Sequence, residues 1–463
     1  MSISSVNQTV ATLAVIGWAL GASAQPEATV SSGPAKGEGL IETAVPTSWE
    51  NPSWLTDLYS GIQETYDDNI YLSGVNVPAS NTVPGSAIAQ KDHSSFKTTV
   101  SLKIGVDLAP LVGDENILKS LSLAYAPDFV FYHDAPVENH RIHRFTTKIK
   151  GGTDSFSFDL ENALNFIDGS NVGPTYPGDF LNAYSATTPR EHREQVNGNT
   201  TFSFEYDHDN WFVSPVASLL YYDMMTQLHD VTGYLNYASR YDVNGGADFG
   251  YRVEPQLAIT LGYRYGHQYQ EQFSFSPYSS SSDYQRALFG IEGKPWKWLE
   301  VDIRVGPDFR SYPQDTATHI TPVTNKHPVY YYGEANLTAT ITSRDKLTFK
   351  YKQWMWVSQL GNIPYFDSTY ELSYHRKWND WLTFDLVGAI LSSNYTSGNL
   401  PSSRRDDYEY SIAAGFVYSF NAHFSANLAY SFYAGRNELA GVVNPWTRAF
   451  DENVISIGTQ LEF

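Results

Sequence analysis

The stretch FKTTVSLKIGVDL, residues 96–108, places Phe96, Thr98, Val100, Leu102, Ile104, Val106 and Leu108 at every second position. Lys97, Thr99, Ser101, Lys103, Gly105 and Asp107 stand between them. A two-residue period puts the first set on one face of a β-strand and the second on the other. One face is apolar and the other carries charge. The period returns along the chain, as in Leu257-Ile259-Leu261-Tyr263-Tyr265, Leu299-Val301-Ile303-Val305 and the closing run Ile455, Ile457, Thr459, Leu461, Phe463. Strands of this kind build either a soluble sheet or the wall of a barrel in lipid.

Composition narrows the choice. Aromatics make up 15% of the 463 residues, yet mean hydropathy is −0.35. No run approaches the roughly 20 apolar residues of a membrane helix, which excludes a helical membrane protein. A membrane barrel stays open, because alternating strands average to mild hydropathy. There is no cysteine, so neither disulfides nor a thiolate metal site can form. A formal charge of −20 disfavours nucleic acid as a partner, since phosphate backbones need a basic surface.

The first residues read as an export signal. Val10–Leu20 is an apolar stretch of signal-peptide length, and Ala22-Ser23-Ala24 offers a small-x-small cleavage site before Gln25. No Lys or Arg precedes the apolar run; the alternatives are a mis-set start codon or a buried N-terminal strand. The expected organisation is a signal peptide over 1–24, a flexible periplasmic arm over 25–53 and a β-barrel over 54–463. The arm is rich in Pro, Gly, Ser and Glu and lacks a periodic apolar face.

Period-two matching predicts about 18 strands, with 16 as the alternative; no helix is predicted. The connections alternate in length. Tight turns are predicted at Gly151-Gly152-Thr153-Asp154, Asp207-His208-Asp209-Asn210, Glu254-Pro255, Gly293-Lys294-Pro295, Ser343-Arg344-Asp345, Trp378-Asn379-Asp380 and Asn421-Ala422-His423. Long polar loops fall between them, near 72–94, 168–192, 270–283, 311–327, 392–406 and 435–449. Tight turns at one end and long loops at the other are the asymmetry of an outer-membrane barrel. In lipid the sheet must close on itself, and closure with both termini in the periplasm requires an even strand number. The expected class is all-β: a transmembrane, antiparallel, up-and-down barrel.

Two short signals carry a resemblance. The terminal aromatic Phe463, in phase with the apolar face of its strand, resembles the element read by the bacterial barrel-assembly machinery. The opening strand ends in Thr65-Tyr66-Asp67-Asp68-Asn69-Ile70-Tyr71, which resembles the beta-barrel porin-2 group of bacterial outer-membrane proteins, a group with members beside exopolysaccharide export systems. The resemblance implies a Gram-negative outer-membrane channel in contact with lipid and lipopolysaccharide, passing small hydrophilic solutes or secreted polysaccharide, without a cofactor. It carries over no catalytic residue.

If the apolar parity faces lipid, the other parity lines the lumen. That assigns Lys97, Lys103, Asp107, Lys148, Lys150, Arg264, Glu300, Asp302, Arg304, Asp308, Arg310, Glu334, Lys350 and Lys352 to the inside. A charge on the lipid side would cost about 2–4 kcal/mol at the midplane. Five charged residues from Glu300 to Arg310 share one parity and form a candidate ladder across a hydrated pore. For any single residue, pairing with a neighbour to hold the wall is the simpler expectation. Trp354 and Trp356 fall on the same inward parity, where they extend the basic groups into a track for the C–H faces of sugars. The competing reading, and the expected one, is packing in the interfacial girdle or beneath a loop.

Enzymatic readings find little support. No Gly-x-Ser-x-Gly elbow, His-Glu-x-x-His helix or phosphate-binding Gly loop is present. His140, His143, His192 and His208 are scattered, so no metal site is assigned, and the pairs Asp67-Asp68 and Asp406-Asp407 serve either a divalent cation or loop solvation. The functional expectation is a non-enzymatic channel. Its rival is a non-conducting scaffold or adhesin barrel that acts through its surface loops.

Overall fold

The computed structural model describes residues 52, 54–70, 94–112, 117–170, 193–223, 225, 239–271, 281–312, 325–357, 364–395, 405–439 and 450–463. The expected leader, and nearly all of the expected arm, lie outside the described residues.

The described chain forms β1 (Leu55–Asp67), β2 (Ser95–Asp107), β3 (Leu118–Tyr132), β4 (His140–Gly152), β5 (Phe156–Ser170) and β6 (Arg193–His208). It continues with β7 (Trp211–Asp223), β8 (Arg240–Glu254), β9 (Leu257–Gln270), β10 (Ser282–Trp296), β11 (Leu299–Ser311) and β12 (Val329–Thr340). The last six are β13 (Asp345–Val357), β14 (Pro364–Lys377), β15 (Leu382–Tyr395), β16 (Arg405–Ser419), β17 (Phe424–Leu439) and β18 (Phe450–Glu462). All 18 strands belong to one sheet. Each pairs antiparallel with its sequence neighbours, and β1 pairs with both β2 and β18. The sheet is therefore a closed up-and-down barrel with no free edge.

The motif ending β1 fastens the seam. Asp67 turns inward and accepts a bond from Lys97 at 3.0 Å, while its other oxygen accepts the Asn69 amide at 3.0 Å. Asp68 accepts from the Asn453 backbone at 2.7 Å and from its side-chain amide at 2.8 Å. Asn69 donates to the Asp451 carbonyl at 2.9 Å. First and last strands are thus joined by side chains as well as by their ladder, and the oxygens of Asp67 and Asp68 are committed to these partners. At the opposite end the Phe463 amide donates to the Leu58 carbonyl at 2.9 Å, and its ring stacks on His423.

Connections at one end are short: Asp209-Asn210, Pro255-Gln256 and Lys297-Trp298 suffice for three reversals. Two others share one device. The Asn379 side-chain oxygen accepts the amides of Trp381 and Leu382, each at 2.8 Å, and Asn421 does the same for His423 and Phe424, each at 2.8 Å. An Asn oxygen used in this way replaces a backbone acceptor and fixes the reversal. Asn379→Ala is expected to destabilise the barrel by about 1 kcal/mol, read as a lower urea midpoint in lipid vesicles; an unchanged midpoint would show that the ladder alone sets this turn.

Three local expectations need correction. The turn expected at Gly293-Lys294-Pro295 lies instead at Lys297-Trp298, because β10 runs on to Trp296. Proline cannot donate to a ladder, and the sheet absorbs it as an irregularity in which the register shifts between Gly293 and Trp296. Gly293 has φ 122°, and a Cβ there would lie 2.0 Å from the Gln256 carbonyl oxygen; only glycine fits. Leu108 falls outside β2, since Asp107 captures the amides of Ala109 at 2.9 Å and Leu121 at 3.0 Å. That carboxylate starts a one-turn helix, α1 (Ala109–Val112), where no helix was expected; a 3-10 turn covers Pro136–Glu138. Strands also outrun the apolar pattern: β5 continues to Ser170 and β17 to Leu439, into stretches read from sequence as loop.

Candidate functional site: the barrel interior

Bonds between strands that are not neighbours must cross the inside, and they identify the interior face. Arg240 on β8 reaches the Val357 carbonyl on β13 at 2.8 Å, and Gln268 on β9 reaches Met355 at 2.9 Å. On β8, β9, β10 and β11 this is the parity of Asp248, Arg264, Arg286 and Arg304. The opposite parity exposes Ile62, Leu102, Ile104, Leu261, Phe289, Val305, Leu428 and Ile457.

Toward the short-turn end the interior charges are half-exposed and paired across adjacent strands. Lys103 meets Asp57 at 2.9 Å, Lys148 meets Glu161 at 3.1 Å, Lys150 meets Asp159 at 2.7 Å and Lys350 meets Glu371 at 3.0 Å. The last three couples are directly opposed in their ladders, whereas Lys103 faces Tyr59 and reaches Asp57 diagonally, two residues along β1. Glu300, near the reversal, lies 3.4 Å from Lys294 in an exposed pair. Deeper in, Arg264 holds Asp248 through two bonds of 2.8 and 2.7 Å. Arg304 meets Glu292 at 3.0 Å, Asp302 at 3.0 Å and Glu334 at 3.3 Å. Arg252 serves both Glu205 and Asp207. One guanidinium thus answers two or three carboxylates, and the interior here is acidic.

Toward the long-loop end the character changes. Asp308 accepts from Arg286 at 2.8 Å and from Arg310 at 2.9 Å, and all three are buried. Arg286 lies between the Tyr284 and Tyr332 rings, 4.0 and 4.4 Å from their centroids. Tyr284 donates to Asp242 at 2.8 Å. Arg310 also bonds the Gln268 side-chain oxygen, Ser282 and the Met355 carbonyl. Trp354 and Trp356 stack at 4.5 Å between centroids, and Trp356 is 0% exposed. Arg240 lies 5.2 Å from the centre of the Trp356 ring, and Lys352 lies 4.3 Å from that of Trp354. Leu220, Tyr222, Leu288, Tyr332, Val357 and Tyr365 complete an apolar cluster around the indoles. On the other side of the seam, Lys97 and Asp67 form a second buried pair beside Tyr132.

The residues picked out by sequence parity divide accordingly. Lys103, Arg264, Glu300, Asp302, Arg304, Glu334 and Lys350 lie in the paired, acidic half. Asp308, Arg310, Lys352, Trp354 and Trp356 converge on the buried block, and Lys97 stands apart at the seam. The two indoles do not join an outer aromatic girdle; they pack inside. Arg240, Asp242, Gln268, Tyr284 and Arg286 were not singled out, although their strands place them on the inward parity. The run Arg264-Gly266-Gln268-Gln270, polar or small at every second position, was the available signal. Among the described residues no group of three or more His, Asp or Glu is arranged to hold a metal ion.

No family model and no curated protein sequence matches the chain. Solved structures with a similar outline include the siderophore receptor PirA from Acinetobacter baumannii, with 9% identity, a TM-score of 0.41 and coverage of 88% of this chain and 81% of that one. The outer membrane protein OpdK from Pseudomonas aeruginosa gives 9% identity, a TM-score of 0.40 and coverage of 88% and 99%. OccK2 (OpdF) of the same organism, solved with glucuronate, gives 10% identity, a TM-score of 0.42 and coverage of 88% and 98%. At these identities and TM-scores nothing of their activities carries over to this chain.

Proposed function

We propose that this barrel spans a bacterial outer membrane and passes hydrophilic solute through its charged interior without covalent chemistry. The observation that carries the reading is the opposite chemistry of the two faces of one closed wall. Aliphatic and aromatic side chains stand exposed on the outside while arginines, lysines and carboxylates are sorted inward. In water such an outer surface would far exceed the apolar patch a monomer tolerates; in lipid it is the required one. The strands, 12 to 16 residues long, exceed the roughly 9–11 residues a tilted strand needs to cross a bilayer. In this reading the short turns face the periplasm and the long loops the exterior, where they meet lipopolysaccharide. Secreted polysaccharide as the solute rests only on the resemblance of the β1 motif.

Purified, folded protein in planar bilayers is expected to give ohmic conductance steps that favour cations, because single guanidiniums at Arg304 and Arg252 face several carboxylates. Lys350→Glu is expected to raise the cation preference further by freeing the Glu371 charge beside a new one. The dehydrated block at the long-loop end favours a second reading, a non-conducting scaffold or adhesin acting through its loops. A silent bilayer over folded protein would decide for it.

A further inference from the structure

We infer that the inturned end of β13, Trp354–Val357, is a fixed bar that sets the bore of the channel, and that Arg240, Gln268 and Arg310 hold it in place. The inference rests on the channel reading above and names the residues that limit solute size.

Geometry requires the inward turn. In an evenly curved wall of 18 strands, β9 and β13 would be separated by β10, β11 and β12. With strands about 4.8 Å apart and tilted about 40°, that chord is roughly 20 Å. The two strands nevertheless approach within 8 Å between α-carbons. A glutamine side chain spans only about 5 Å, yet Gln268 bonds the Met355 carbonyl. The end of β13 has therefore left the circular wall, or the wall is drawn in with it, and the bore is narrowed on this side.

The hold is on main chain rather than on side chains. Met355 accepts from Gln268 at 2.9 Å and from Arg310 at 3.2 Å, and Val357 accepts from Arg240 at 2.8 Å. The three donors come from β9, β11 and β8. Arg310 cannot swing away, because Asp308 grips it through two bonds of 2.9 and 3.0 Å. Trp356 fills the space behind the bar, against Tyr222 and Arg240. A loop lying in a pore moves with solvent; a segment whose carbonyls are clamped from three strands does not. The bar is thus a rigid sieve.

The test compares the wild-type protein with Arg240→Ala/Gln268→Ala, which removes two clamps and leaves the Asp308 ion pairs whole, and with Trp356→Ala, which empties the space behind the bar. Folding of each is checked by heat-modifiable gel mobility. Single-channel conductance is then read in the presence of neutral polyethylene glycols of increasing size, which depress conductance only when they enter. Released variants are expected to conduct about two-fold more and to admit larger polymers. Conduction by the variants over a silent wild type would also support the bar, as a closure. A conducting wild type whose variants keep its conductance and polymer cut-off would overturn the bar and leave the channel standing. Silence from all of the folded proteins would overturn both.

Discussion

Asp308→Ala is expected to destabilise the barrel by about 3–5 kcal/mol, the largest loss of any single charge removal in the interior. Asp308 is 1% exposed and joins two guanidiniums that are themselves buried. Without it, Arg310 keeps bonds to Gln268, Ser282 and Met355. Arg286 keeps its aromatic neighbours Tyr284 and Tyr332 but loses its carboxylate. The cost is therefore mainly that of a dehydrated cation that loses its bonded carboxylate and keeps only the more remote charge of Asp242, and it exceeds the worth of the pair itself. Asp308→Asn, which retains an acceptor oxygen, is expected to lose roughly half as much. Asp57→Ala provides the contrast: its pair with Lys103 is 35% and 40% exposed, and pairs so hydrated contribute about 0–1 kcal/mol. Urea titrations in vesicles, followed by tryptophan fluorescence, read all three. A loss at Asp308 no greater than that at Asp57 would mean that water reaches the block and that the long-loop half is not a dry interior.

That contrast marks how far the sequence was legible. The alternation at Phe96–Val106 and its repeats announced an all-β wall of about 18 strands, with 16 as the alternative, because a period of two is a local property that the sheet only has to preserve. Pairings such as Lys350 with Glu371 follow once the hairpin between them is placed. The convergence of Arg240, Gln268 and Arg310 on β13 does not follow. It depends on strands that are distant in sequence and non-adjacent in the sheet, and no periodicity records how a wall departs from a circle. Trp354 and Trp356 show the same limit. Inward parity was visible, and packing in the girdle or beneath a loop was the expected reading; the cluster with Leu220, Tyr222 and Leu288 joins strands distant in sequence, which no local period records. Pro295 is the converse case, a local signal for a turn that the ladder overrode because Gly293 let the strand carry an irregularity.

Leu261→Arg is the second large effect, at about 2–4 kcal/mol. Leu261 is 62% exposed on the outer face, opposite Phe289, which is in turn opposite Val305. These positions lie midway along the apolar stretch of their strands. No packing in the barrel depends on so exposed a side chain, and in water the substitution would change stability by no more than about 0.5 kcal/mol. In lipid an arginine there must either leave water or draw water and headgroups into the bilayer, and the barrel bears that work. The same change at Val329, where β12 begins at the long-loop end, is expected to cost about 0–1 kcal/mol, since the side chain can reach the interface. Loss of a hydrophobic side chain is shared by both variants, so the difference between them isolates depth. Urea unfolding of the two in phosphatidylcholine vesicles measures it. A steep difference identifies the outer face as lipid-facing, and with it the inward parity as the one that water and solute meet. Equal and small costs at both depths would make the exposed apolar face a surface that meets water or another protein, and the charged interior would then be a wall brace without a pore.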